Sequence, residues 1–100
     1  MLSSSRFIVA IHALSVLARH ANKGPVCSST IATSVDTNPV VIRRLMAELE
    51  KAKLVRATAG RSGGFELGRN ADGITLQDIY QAVEDETVFR MHKTDPNSKC

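Results

Sequence analysis

Over the first half of the chain apolar residues recur at three- and four-residue steps; after Leu54 the period changes, and a helical step returns near Thr75. From Ser5 to Asn22, the positions Phe7, Ile8, Ile11, Leu14, Ser15, Leu17 and Ala18 fall at helical spacing and predict an amphipathic helix. The Ser3-Ser4-Ser5 cluster is expected to cap it, and Lys23-Gly24-Pro25 to end it. Val26-Cys27 then predicts a very short extended piece, with Cys27 read as a small buried hydrophobe. Ser28 or Ser29 starts a short helix through Ser34, in which Ile31, Ala32 and Val35 give one small buried face, and Asp36-Thr37 makes a tight turn.

The stretch from Asn38 to Ala52 predicts the next helix. Asn38 can cap it with its side-chain oxygen, and Pro39 suits the first helical position, where a missing N–H costs nothing. Val41, Ile42, Leu45, Met46 and Leu49 line one stripe, while Val40, Arg43, Arg44, Ala47 and Glu48 line the opposite side, so one face packs and the other is left for a partner. Val55-Arg56-Ala57-Thr58 and Phe65-Glu66-Leu67 read as two strands joined through Ala59 to Gly64, a β-hairpin whose glycine-rich tip carries Arg61. Arg69 to Gly73 is a polar turn, and Thr75-x-x-Asp78 has the form of a capping box opening a helix to about Glu84. Leu76, Ile79, Tyr80 and Val83 are its expected buried stripe. The last segment, Thr87 to Cys100, offers Val88, Phe89 and Met91 as a short apolar contact ahead of a loop at Asp95-Pro96-Asn97.

With 100 residues, 43% of them hydrophobic, one small core is expected and a second is not. No apolar run is long enough to span a bilayer, and Met-Leu-Ser-Ser-Ser-Arg is not a cleavable signal, so the expectation is a cytoplasmic protein. The net charge of +3 leans toward polyanionic partners, while 4% aromatic residues argue against a single-strand stacking platform. Cys27 and Cys100 lie far apart with no metal-ligand spacing. His12 and His20 stand eight apart with no third ligand and read as surface or boundary residues, as does His92. The histidines, cysteines and carboxylates never cluster as a nucleophile and base would need, so no enzyme is expected.

A short helix, a tight turn and a longer helix with exposed basic residues form the helix-turn-helix pattern. Arg43 and Arg44 lie near the positive end of a helix dipole, where cations are disfavoured and a polyanion would relieve them. Arg43 or Arg44 can pair with guanine edges or phosphates, Asn38 can reach a base or the backbone, and Val40 can touch a thymine methyl. Pro39 lies at the same helix start. Ser4, Arg6 and Ser29, at helix starts, can hold phosphate, as simple capping also explains for the serines. Arg61, with Ser62 beside it, is shaped to enter a minor groove or rest on phosphate. The acidic Glu84-Asp85-Glu86 would repel a duplex and is expected to face away from it.

The chain resembles the Rrf2 family of bacterial winged helix-turn-helix transcription regulators. The resemblance rests on Phe7 to Leu17, Ile31-Ala32, Thr37-Asn38-Pro39-Val40-Val41-Ile42-Arg43-Arg44-Leu45, Leu54-Val55, Gly60-Arg61-Ser62-Gly63-Gly64-Phe65-Glu66-Leu67, Ile74-Thr75-Leu76 and Ile79 to Glu84. It implies a mainly α fold with a small β-hairpin, and a homodimer on double-stranded inverted-repeat operator DNA. The helix 38–52 would lie in the major groove and the wing 55–68 on the minor groove. Some family members carry an iron–sulfur cluster on three closely spaced cysteines after the Thr75-type helix. Residues 86–99 contain none, so no cluster or other cofactor is expected, and Cys100 is a candidate redox thiol. Members usually continue into a long C-terminal helix that crosses to the partner subunit. The expected organisation is therefore a DNA-binding domain over 1–85 and a segment, 86–100, leading toward an absent or truncated dimerisation helix. The alternative is a protein-interaction module on the same scaffold, because fold does not dictate function.

Overall fold

The first helix, α1 (Leu2–Arg19), already has helical backbone at Leu2, so Ser3, Ser4 and Ser5 sit inside its first turn and not ahead of it as caps. The computed structural model describes residues 2–84, with side chains from Arg6 onward; the expectations for the side chain of Ser4, for Asp85 and Glu86, and for 87–100, including His92 and Cys100, lie outside the described residues. Helix α1 stops at Arg19, three residues short of the expected Asn22, because Asn22 takes a left-handed φ of 70° that cannot extend a helix. His12 is exposed and His20 half-buried, its Nδ1 3.0 Å from the carbonyl of Val16.

Helix α2 (Ser28–Val35) takes Cys27 as its cap residue, without a side-chain capping bond. Ser28, expected among the caps, is buried inside the helix, and Cys27 is only half-buried, its Sγ 3.4 Å from the Ser29 hydroxyl. At the other end Asp36 is left-handed (φ 58°), and the N–H of Thr37 reaches back to the carbonyl of Ala32 at 2.9 Å. This closure turns the chain sharply into α3. Helix α3 (Pro39–Lys51) is capped by Asn38, whose side-chain oxygen accepts from the N–H of Val40 at 2.8 Å. It ends with Lys53 left-handed and the N–H of Leu54 on the carbonyl of Leu49 at 3.0 Å.

The hairpin pairs β1 (Val55–Thr58) with β2 (Gly64–Leu67) in antiparallel register, Val55 opposite Leu67 and Thr58 opposite Gly64. The short extended piece at Val26 joins it: Val26 and Phe65 exchange both backbone hydrogen bonds, at 2.9 and 2.8 Å, and tie the α1–α2 connection to the wing. Gly64 permits this approach, since a Cβ there would stand 2.5 Å from the Val26 carbonyl oxygen.

A single 3-10 turn (Ala71–Gly73) leads to α4 (Leu76–Glu84). The capping box forms as the spacing predicts: the N–H of Thr75 donates to Asp78 Oδ2 and the N–H of Asp78 to Thr75 Oγ1, both at 3.0 Å. The buried stripe is narrower than expected. Ile79 and Val83 are buried, whereas Leu76 is 61% and Tyr80 53% exposed. Only the Ile79–Val83 edge of this nine-residue helix enters the core; Tyr80 lies edge-on to Phe7, ring centroids 5.6 Å apart. The core is one cluster, with Ala13 and Leu17 from α1, Ile31 from α2, Ile42, Leu45, Met46 and Leu49 from α3, and Leu54, Phe65 and Ile79 closing it. Among the described residues no helix is long and apolar enough to cross a membrane.

Candidate nucleic-acid interface

Helices α2 and α3 pack together across the Asp36-Thr37-Asn38 turn, and the start of α3 stands clear of the core. Pro39 and Val40 are exposed there, and Val41, expected in the buried stripe, is 40% exposed. It lies at the edge of the stripe, where α2 no longer covers it. Arg44 is exposed and Arg43 half-buried. Neither has a hydrogen bond or ion pair among the described residues. The first turns of α1, α2 and α3 hold no acidic residue, so nothing on them neutralises the positive ends of these helices.

Arg61 and Ser62 are exposed at the wing tip, which the N–H of Gly63 closes on the carbonyl of Gly60 at 3.0 Å. Arg61, too, has no partner among the described residues, in contrast with Arg56, which faces Glu66 across the hairpin at 3.6 Å. Arg69 likewise donates to the Gly73 carbonyl at 3.0 Å and lies 3.7 Å from Asp78. Among the described residues Arg19, in the last turn of α1, is likewise unengaged; Arg43, Arg44 and Arg61 are the unengaged ones that the hydrophobic pattern left on the α3 face and on the hairpin tip. Ser29 is exposed at the start of α2.

Glu48 and Arg6 also depart from their expected places, and they depart together. Glu48, assigned to the open face of α3, is 6% exposed, and Arg6, assigned to a phosphate, pairs with it. Arg6 Nη2 also donates to the carbonyl of Val83 at 3.3 Å. A carboxylate at the margin of an apolar stripe can be drawn inside when a cation meets it there, and the cation comes from a position 42 residues away. No local pattern signals that partner.

Comparison with known proteins places this geometry. A family model described as "Rrf2: Iron-dependent Transcriptional regulator" matches residues 3–100. The chain is 40% identical over 98 residues to YwnA of Bacillus subtilis, named as an HTH-type transcriptional regulator, covering 97% of this chain and 70% of YwnA. It spans about half of other curated relatives, 48% of YwgB of Bacillus subtilis and 52% of YffB of Lactococcus lactis. Among solved structures it is similar to CymR, described as the global cysteine regulator of B. subtilis, with a TM-score of 0.75 and 28% identity over 79% of this chain and 61% of that one. It is also similar to IscR of T. potens, with a TM-score of 0.73 and 27% identity over 88% of this chain and 71% of that one. The given sequence contains two cysteines, Cys27 and Cys100, and among the described residues no three His, Cys, Asp or Glu side chains converge on a point.

Proposed function

Because the chain belongs to the Rrf2 family of transcriptional regulators, we propose that it reads an inverted-repeat operator as a homodimer in the cytoplasm, with α3 in the major groove and the wing on the minor groove. The observation that carries this reading is the division among the arginines. Among the described residues Arg6, Arg56 and Arg69 are held by carboxylates, whereas Arg43, Arg44 and Arg61, at the start of α3 and at the wing tip, have no hydrogen bond or ion pair, as is also true of Arg19 in the last turn of α1. An unpaired guanidinium keeps its five donors for phosphate or for the guanine edge.

In this arrangement Arg43 and Arg44 contact bases or phosphates. Val40 and Pro39 present carbon to thymine methyl groups. Asn38, its oxygen engaged by the cap, keeps an amide that can donate to the duplex. Ser29 supports a phosphate at the start of α2, and Arg61 with Ser62 tracks the minor groove. Arg6 leaves this set, since its guanidinium is committed to Glu48. The role is one of binding, with no catalytic step.

Operator titrations test it. Arg43→Ala with Arg44→Ala is expected to weaken specific binding by about a hundredfold or more, at roughly 1–3 kcal/mol for each base-directed contact. Arg61→Ala is expected to weaken operator and non-operator DNA alike and to lower the slope of log affinity against log salt by about one. Variants that footprint like the parent would remove the contact assignment. A flat salt response with tight binding to a protein would favour the interaction module instead.

A further inference from the structure

The pairing of Arg6 with Glu48 has no part in contacting DNA, yet it lies beneath the helix that does. Building on the DNA-contact reading of α3, we propose that Arg6 and Glu48 are positioning residues for recognition, a strut that sets the roll of α3 and so decides where Val40 and Arg44 point.

Glu48 is one turn beyond Arg44 on the same helix, and its carboxylate is drawn inside. The Ile42, Leu45, Met46 and Leu49 stripe that seats α3 is held by apolar contact, which is non-directional and tolerates small rolls and slides. A buried carboxylate tolerates them less, because a roll that withdraws it from the guanidinium gives up a directional charge pair inside the fold. Arg6 is itself held from a third side. Its Nη2 donates to the carbonyl of Val83 on α4, at 3.3 Å. One guanidinium on α1 therefore ties α3 at Glu48 to α4 at Val83, and those three helices pack against one another in pairs.

A buried ion pair replaced by apolar side chains of similar length often folds as well as the original, which separates packing from positioning. The test uses the full chain as Arg6→Met, Glu48→Met, the double variant and Glu48→Gln, on the operator selected by the parent protein. Each is titrated against operator, single-mismatch operator and unrelated DNA, at a temperature where its melting curve shows it folded. For the double variant, a melting temperature near the parent's is expected together with about tenfold weaker operator binding and a compressed preference over the mismatched site. Binding to unrelated DNA should be unchanged. Glu48→Gln keeps shape and an acceptor oxygen but loses the charge, and is expected to lose threefold to tenfold in operator binding; it decides the matter if the double variant does not fold. Parent-like affinity and mismatch preference in a folded double variant, or in Glu48→Gln, would overturn the strut. Arg43→Ala with Arg44→Ala in the same titration separates the two claims: if that variant also binds like the parent, α3 does not read DNA and the contact reading has failed first.

Discussion

At Asp78 the carboxylate accepts the N–H of Thr75 while its own N–H is taken by the Thr75 hydroxyl. The backbone hydrogen bond from Thr75 and then its side-chain bond hold the Asp78 pKa below its ordinary 3.8 against desolvation, and the nearby Arg69 adds a weaker lowering. A carboxylate whose folded pKa is depressed stabilises the fold fully above its unfolded value. That stabilisation is lost as pH falls from about 3.8 through the lower folded value. Thr75→Ala should cost about 1 kcal/mol at neutral pH, as the loss of a helix cap usually does, and its stability should fall less steeply than the parent's below pH 3.8. Denaturant melts across that range measure both. Because alanine keeps the backbone N–H that Asp78 accepts, a parallel acid limb in parent and variant would show that the Thr75 hydroxyl takes no part in holding the charged form. The same residue-scale view separates the arginines by whether a carboxylate has reached them.

At the scale of the element, α3 combines two duties at one position. Asn38 both caps the helix and stands at the proposed DNA face, and the two can be pulled apart because aspartate caps about as well as asparagine. Asn38→Ala should lose about 1 kcal/mol of stability. Asn38→Asp should keep the parent's stability and, by placing a negative charge against phosphate, lose more than tenfold in operator affinity. Calorimetry beside DNA titration reads both, and an Asp variant that binds as well as the parent would move the duplex away from this helix start. The hairpin is similarly double. Its strands and tip follow from turn chemistry, while its anchorage follows from the backbone pair between Val26 and Phe65, which Gly64 makes room for.

For the molecule as a whole, among the described residues one core serves four helices and a hairpin, and α4 buries Ile79 and Val83 in it while Leu76 and Tyr80 stay exposed. Helical spacing correctly finds Ile79 and Val83, yet it cannot tell how wide a covering the neighbours provide, and so it includes Leu76 and Tyr80. Stability measurements should reflect the difference. Ile79→Ala removes a side chain that is 5% exposed and should cost about 2–5 kcal/mol, whereas Leu76→Gln should stay within about 0.5 kcal/mol. A comparable loss from Leu76→Gln would mean that α4 is covered on its outer side as well.

The helices, the tight turn after α2, the Asn38 cap, the glycine-tipped hairpin and the Thr75–Asp78 box were all determined by the sequence, because each depends on interactions spanning a few residues and on periodicity within one element. The placing of Arg43, Arg44 and Arg61 away from the packed stripe was legible for the same reason. Tertiary structure alone decided that Arg6 turns inward to Glu48 across 42 residues and to Val83 across 77, that Val41, Leu76 and Tyr80 stay exposed, and that Val26 extends the wing. Those outcomes depend on which surface arrives opposite a side chain. A linear pattern records what each face offers, and only the folded chain settles what meets it.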